Sequence, residues 1–544
     1  MKYVSVQEIV AVEKEADQKG FTYSMMMENA GKGLAAVVQD RYEEIGSETV
    51  LGLVGSGNNG GDTLVALDYL CQSGWQTSAL IVRPRDPNDP LIERLEISGG
   101  RIIRLNGKFS KQSLRELLEE NEIILDGILG TGIKLPLKED LAKLMGYIAS
   151  QIRLMEYPPI VVAVDCPSGV DSDSGESAKE CIPADLTVTM AAIKQGLLKL
   201  PAYDLVGDIQ VVSIGLPSGG EVLQAWKDIK TFVPDRSWIR DILPDRPLDS
   251  HKGTFGTALV VAGSVNYTGA AYLAGKAAYL SGAGLVTLAV PNPIHAILAG
   301  QIPEATWLIL PHELGVISED AADVVHHNLN RTTALLVGPG FGMEETTGEF
   351  LKSLLVDSFS QNIHSMGFLK RAEKIKQEDG KQLPPLVIDA DGLKLLKRIP
   401  DWEKAIPGEA VLTPHPGEMS FLTGITTAEI QADRVGIARK WSKEWGHIVV
   451  LKGAFTVISS PEGECAIIPV ASPALARAGS GDVLAGIIVG LRAQGVSAFH
   501  AAVVGAWIHA QAGVTAAIDI GNTCSVLAGD ILERIPDIIS EVAS

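Results

Sequence analysis

The chain has 544 residues, 46% hydrophobic and only 5% aromatic, with a formal net charge of −20. That length exceeds what one hydrophobic core supports, so two or more domains are expected. The acidic balance excludes a general role on nucleic acid or anionic membrane, because neutralising phosphates needs basic surface.

Ser5 and Glu8 predict a capping box ahead of an amphipathic helix, in a region where a signal peptide needs an uninterrupted apolar run. No segment reaches about 18–20 uninterrupted apolar residues, which argues against a membrane span. The five cysteines, Cys71, Cys166, Cys181, Cys465 and Cys524, contain no CxxC pair and are odd in number. They read as reduced thiols, and the protein as cytoplasmic.

From Thr49 the pattern alternates between strand and helix. TVLGLVG (49–55) predicts a buried strand, DTLVALDYLCQSG (62–74) a helix and TSALIVR (77–83) a second strand. EIILDGILG (122–130), IVVAVD (160–165), LTVTM (186–190) and DIQVVSIG (208–215) follow as short apolar runs. Right-handed crossovers then predict a mainly parallel sheet covered on both faces. The Pro- and Gly-bearing stretch from Leu216 to Gly256 interrupts this rhythm, and we divide the chain there into 1–225 and 226–544. Alternation resumes with TALVVAG (257–263), GLVTLAV (284–290), TALLVG (333–338), PLVIDA (385–390), EAVLTP (409–414) and HIVVLKG (447–453). The polar segment from Ser358 to Gln382 reads as a surface helix or an insertion. The fold class is α/β in both halves.

The first concentrated signal is GSGNNGGD, Gly55 to Asp62, between a strand and a helix. Such a turn exposes backbone N–H groups at the positive end of a helix dipole, with Asp62 expected to cap the helix start. It is neither a dinucleotide fingerprint nor a P-loop, and a tight turn without ligand fits the same residues. Two more strands end in polar glycine turns, LDGILGTGIKLP (125–136) and VDCPSGVDSDSG (164–175). Carboxyl ends of strands in an open parallel sheet converge on one crevice. There Asn59, Asp126 and Ser168 offer oxygen ligands to a hard cation, and Asp165 an acid or base; each acid taken singly also fits a loop-capping role. Lys194 is a second candidate for proton transfer.

In the second half, ALARAGSGDVLAGIIVGLRAQG (474–495) sets Asp482 after a small-residue turn. Amides of Gly479, Ser480 and Gly481 can form an anion hollow suited to phosphoryl transfer, with Asp482 orienting or deprotonating a hydroxyl. A helix N-terminus is expected to lower that carboxyl's pKa, making orientation its larger role. An aspartate capping a helix after a glycine turn is the plain alternative. VGPGFG (337–342) is a further glycine turn, TPHPGEM (413–419) holds His415 in a rigid loop, and VLKGAFTVI (450–458) places Lys452 after an apolar strand, suited to phosphate or simply solvated.

MENAG (27–31), GNNGGD (57–62), DGILGTG (126–132) and DCPSG (165–169), in that order, resemble the NAD(P)H-hydrate epimerase family over roughly residues 1–216. The resemblance implies a Rossmann-like domain that interconverts R and S epimers of hydrated NAD(P)H. It implies substrate contacts from Asn58, Asn59, Gly60, Gly61 and Asp62, from Gly130, Thr131, Gly132, Ile133, Lys134, Leu135 and Pro136, and from Asp165. It also implies a potassium ion on Asn59, Asp126 and Ser168. Thr63 stands where the family usually has a glycine; its side chain either narrows the phosphate approach or points away.

From about Ser250 onward the chain resembles the ADP- or ATP-dependent NAD(P)H-hydrate dehydratases of ribokinase-like fold, with GSGD in place of the commoner GTGD. That implies substrate contacts from Ala258, Gly340 or Gly342, His415 and Asp482. Lys452, Gly453, Ala454, Phe455, Thr456, Gly479, Ser480 and Gly481 would then hold ADP or ATP, with magnesium as an accompanying cofactor. A homo-oligomer is expected, and the Ala-rich stretch from His500 to Ala517 suits either an interface or a core. A small-molecule kinase fused to a non-catalytic nucleotide-binding module is the alternative reading.

Overall fold

The buried apolar runs become parallel strands. The computed structural model describes residues 1–43, 46, 48–105, 110–217, 222–356 and 383–543, so the polar segment from Ser358 to Gln382 lies outside the described residues. The chain divides into two compact units, Met1–Val233 and Pro234–Ser544.

The first unit carries β1 (Thr49–Val54), β2 (Gln76–Ile81), β3 (Arg101–Arg104), β4 (Ile123–Gly127), β5 (Ile160–Val164), β6 (Leu186–Met190) and β7 (Asp208–Val212). They form one sheet in the order β3-β2-β1-β4-β5-β6-β7, with every pairing parallel. The order reverses between β1 and β4, which opens a crevice at the carboxyl ends of those strands. Alternate residues serve opposite faces: Val50 and Val54 join one core with Leu64 and Leu67, while Leu51 and Leu53 join another with Leu117 and Met145. Burial on both faces is why the strands read as continuous apolar runs.

Three helices matter for the site: α1 (Val6–Gln18), α2 (Tyr23–Tyr42) and α3 (Asn58–Gln72). Ser5 and Glu8 form the expected capping box of α1, with Glu8 N–H donating to Ser5 Oγ at 3.2 Å and Ser5 N–H to Glu8 Oε2 at 2.7 Å. A two-residue strand, Tyr3–Val4, precedes α1 and pairs in parallel with Ile193–Lys194. Gly31 lets α2 approach α3, since a Cβ there would fall 2.5 Å from Val65 Cβ.

The second unit carries β8 (Thr257–Val261), β9 (Leu285–Pro291), β10 (Thr306–Leu310), β11 (Ala334–Val337), β12 (Leu386–Ile388), β13 (Val411–Leu412), β14 (Ile448–Leu451), β15 (Val457–Ser459) and β16 (Cys465–Ile467). Their order is β16-β15-β14-β13-β12-β11-β8-β9-β10. Pairing is parallel from β10 through β14 and antiparallel across β14, β15 and β16. Helices α4 (Thr268–Leu280), α5 (Ser480–Ala493) and α6 (Ala498–Ile520) pack here. A Cβ on Gly486 would fall 2.3 Å from the Ala274 carbonyl oxygen, so the backbones of α4 and α5 approach closely there. Helix α6 is, among the described residues, the one helix long and apolar enough to cross a membrane, yet 78% of its apolar window is buried inside the protein. The Ala-rich stretch from His500 to Ala517 is therefore core. All five cysteines are free.

Candidate active sites

The glycine-rich turn of the first unit is shorter than its sequence suggests. Helix α3 begins at Asn58, capped by Gly57 with no side-chain hydrogen bond. Asp62 is thus not the cap: it sits one turn in and is buried. The early start leaves first-turn N–H groups without side-chain partners. Most of the glycines answer to packing at the switch point. A Cβ on Gly55 would lie 2.0 Å from the Ile128 oxygen, and one on Gly60 2.1 Å from the Gly55 oxygen. Gly57 and Gly132 have nothing within 4 Å and stay open. Thr63 points inward: its hydroxyl donates to the Asn59 carbonyl at 2.7 Å, and it has no exposed surface.

Asp126, next to last in β4, is fully buried and accepts from Ser168 Oγ at 2.6 Å and from Ser168 N–H at 2.8 Å. Asn59 donates its amide to the Leu129 and Val164 carbonyls and fills the space left by Gly130. Burial raises the Asp126 carboxyl despite the Ser168 hydrogen bonds that oppose the shift. An all-oxygen set around a buried carboxylate, which forms no ion pair with lysine or arginine among the described residues, fits a hard monovalent cation. The loop Gly130, Thr131, Gly132, Ile133, Lys134, Leu135 and Pro136 leaves β4 beside this set, half to fully exposed.

Asp165 follows β5 at a φ of 68°, a value aspartate tolerates better than most residues. Its Oδ1 accepts from Met190 N–H at 3.0 Å, from Thr189 Oγ1 at 3.1 Å and from Lys194 Nζ. Lys194 also donates to the Met190 carbonyl at 2.7 Å. Far from being solvated, this lysine is 2% exposed. Burial first, and the Asp165 charge second, raise Asp62 well above the ordinary aspartate range; Lys194 opposes the shift and Glu13 adds to it. An anchored carboxylate beside a carboxyl that keeps its proton to higher pH can supply a base and an acid in one cleft.

The second site lies at the carboxyl ends of β11 to β14. Gly479, at φ 87°, caps α5, placing Gly481 and Asp482 in its first turn. The Ser480 hydroxyl donates to the Leu475 and Arg477 carbonyls at 2.9 and 2.8 Å, so Ser480 braces the turn and offers a ligand only its backbone. A Cβ on Gly481 would lie 3.3 Å from Lys452 Nζ. Lys452 donates to Asp389 Oδ1 at 2.6 Å and lies 3.8 Å from Glu418 Oε2. Beyond it Gly453 and Ala454 are exposed, Phe455 is buried, and Thr456 Oγ1 closes the turn on the Gly453 carbonyl at 2.9 Å.

Asp482 corrects the sequence expectation. Burial, then the Asp389 charge, push its carboxyl up to about 7 against the pull of Lys452, where a helix N-terminus alone predicts a lowered value. A carboxyl raised this far can exchange a proton near neutrality. His415 caps the helix Pro416–Thr423, its Nδ1 accepting from Gly417 N–H at 3.0 Å and Glu418 N–H at 3.2 Å. Burial first, then Lys452 and Lys394, hold its pKa below the usual range, and its Nε2 lies 3.4 Å from Glu418 Oε1. Gly342 N–H donates to Asp391 Oδ2 at 3.0 Å, and Gly340 packs on Ala270 of α4. Ala258 is not brought to this cleft. It is the second residue of β8, at the amino end, with no exposed surface.

Four further residues contribute to the two sites. Arg85 donates to the Gly55 and Gly57 carbonyls at 2.8 and 3.1 Å, clamping the glycine turn while it pairs with Asp89 at 2.6 Å. Glu13 of α1 adds a carboxyl raised by burial. Asp389 ends a strand, the same signal that singled out Asp126 and Asp165. Arg434 donates to the Leu451 carbonyl at 2.8 Å below the Lys452 turn, from the helix Arg434–Trp445 that directly precedes β14.

Two open sheets, each with carboxylates and a lysine gathered at the carboxyl ends of its strands, define a two-unit α/β enzyme of nucleotide chemistry. Residues 258–537 match the family described as NAD(P)H-hydrate dehydratase, and residues 23–196 match the YjeF-related protein N-terminus. The chain is 36% identical over 522 residues to the bifunctional NAD(P)H-hydrate repair enzyme of Moorella thermoacetica, covering 95% of this chain and 92% of that one. It is 34% identical to the enzyme of the same name from Salinibacter ruber, over 96% of this chain and 93% of that one. A solved ADP/ATP-dependent NAD(P)H-hydrate dehydratase from Bacillus subtilis, co-crystallised with ATP and Mg2+, is 28% identical, with a TM-score of 0.45, covering 57% of this chain and 97% of that one. The chain belongs to the family of bifunctional NAD(P)H-hydrate repair enzymes. Full-length similarity to two-activity relatives does not favour the small-molecule kinase alternative.

Proposed function

We propose that the first unit interconverts the R and S epimers of hydrated NAD(P)H. The second then dehydrates the S epimer to NAD(P)H at the expense of ADP or ATP, giving AMP or ADP and phosphate. What supports this reading is a recurrent arrangement: each strand-end cleft holds a buried carboxylate–lysine pair beside a second carboxyl with a raised pKa. The pairs are Asp165–Lys194 and Asp389–Lys452, and the second carboxyls are Asp62 and Asp482.

Epimerisation requires the C6–O bond to break and re-form on the other face. A carboxyl of the Asp165–Asp62 pair protonates the departing hydroxyl, the N1 lone pair stabilises the carbon, and returning water gives its proton back. Asn59, Asp126 and Ser168 would hold potassium, which would supply a fixed positive charge to the crevice. In the second unit Asp482 takes the hydroxyl proton as that oxygen attacks the terminal phosphorus and AMP or ADP departs. The C6–O bond then breaks with its electrons leaving on phosphate, N1 forms a double bond to C6, and loss of the C5 proton restores the dihydronicotinamide. Lys452 and the backbone of Gly453–Thr456 and Gly479–Gly481 hold the phosphates. Magnesium accompanies them as counterion; among the described residues no trio of His, Cys, Asp or Glu gathers to hold a metal. The test is an R/S hydrate mixture supplied with ADP or ATP, potassium and magnesium. Complete conversion to NAD(P)H requires both activities, and a stop near half conversion leaves only one.

A further inference from the structure

Asp389 closes β12 with its carboxylate almost wholly buried. Its two oxygens are treated differently. Oδ1 receives Lys452 Nζ at 2.6 Å and Thr413 Oγ1 at 2.7 Å, whereas the buried Oδ2 has no hydrogen-bond partner. The backbone holds this arrangement in place. Gly338, at φ 117°, sits so close that a Cβ on it would lie 2.0 Å from the Asp389 carbonyl oxygen. The bare oxygen faces α5, 3.7 Å from where a Cβ on Gly481 would be.

We propose that Asp389 is a positioning residue of the dehydratase site, anchoring the Lys452 ammonium through one oxygen and presenting the other, uncompensated, to the Gly481–Asp482 turn, so that its charge makes Asp482 a strong enough base for the substrate hydroxyl. This rests on the role given to Asp482 above. The other charges around Asp482 are Asp391 after β12, Glu418 on the helix Pro416–Thr423 and Lys452 after β14. Asp391 is matched by Lys394 at 2.9 Å, and Glu418 is shared between Lys452 and His415. His509 of α6, behind Ser480, is held neutral, its ring pushed down to about 4 by burial. Asp389 is therefore the negative neighbour whose removal shifts the balance. Without it, Lys452 loses its close partner and bears more strongly on Asp482, so both changes favour the ionised carboxylate.

The experiment is the pH profile of dehydratase kcat/KM in the full chain for Asp389→Asn, with Asp389→Ser as the second variant. Thermal unfolding of the second unit, which carries Asp389, serves as the control for folding. The acid limb is expected to move to lower pH by about one unit or more, a tenfold change in proton affinity, with a lower plateau from the weaker base. An acid limb that stays in place in the folded variants overturns the proposal, as does loss of activity at every pH. Asp482→Asn, run alongside, separates the two ideas. Retained dehydration there sinks the role of Asp482 itself, whereas an inactive Asp482→Asn with an unmoved limb in Asp389→Asn sinks only the role of Asp389.

Discussion

Gly127 and Thr63 face each other so closely that a Cβ on Gly127 would lie 1.9 Å from Thr63 Oγ1. The end of β4 and the second turn of α3 are thereby locked together at the switch point, and with them Asp126 and Asn59. Gly127→Ala is expected to destabilise the first unit by about 1–3 kcal/mol through overpacking and to abolish epimerisation. Gly57→Ala, with open space around it, is expected to leave the melting temperature unchanged and to raise KM for the hydrate by narrowing the approach to α3. Thermal denaturation and epimerase kinetics on the two variants check the contrast.

Thr63 itself stands where the resemblance to the epimerases implies a glycine. Its methyl packs toward Gly52 and its hydroxyl is satisfied within the helix, so it takes no space from a ligand. Thr63→Gly is expected to lower stability by about 1–3 kcal/mol, from helix propensity and lost burial, without raising turnover. Chemical denaturation gives the first quantity and steady-state rates the second.

The sequence shows most of this architecture because fully buried parallel strands are written as apolar runs, and strand ends as Gly, Asp or Asn. It misses Arg101–Arg104 and Thr306–Leu310, edge strands whose residues are half exposed and so break the apolar run. Asp62 reads as a cap because nothing in the sequence says that the glycine-bearing Asn58–Gly61 is already helical. Glu13, Arg85 and Arg434 lie outside the strand-end turns, on helices or loops that only tertiary packing folds back onto the sites. Asp482 misleads for a related reason: a helix N-terminus is visible in sequence, but the desolvation and neighbouring carboxylate that outweigh it are not.

Lys194 is the cation at the centre of three buried or half-buried carboxyls, Asp165, Asp62 and Glu13. Lys194→Met leaves an uncompensated charge and is expected to cost about 3–5 kcal/mol, together with epimerase activity, while the dehydratase continues. Loss of the dehydratase in parallel would contradict the independence of the two sites.

Dehydration should follow the ionisation of Asp482. With that carboxyl pushed up to about 7, the base is present above this pH and lost as pH falls through it. The acid limb of dehydratase kcat/KM is expected near pH 7, tenfold down for each further unit of acidity. A limb near the ordinary aspartate value would mean that Asp482 only orients the hydroxyl.

The division of labour between the two clefts is tested most directly by following both epimers as an R/S mixture of hydrated NADH is consumed with ADP, potassium and magnesium. Asp165→Asn is predicted to exhaust the S form, leave the R form and stop near half conversion, while Asp482→Asn keeps interconverting the epimers and yields no NADH. Conversion of the R form by Asp165→Asn at the unsubstituted rate, or NADH formation by Asp482→Asn, would contradict it.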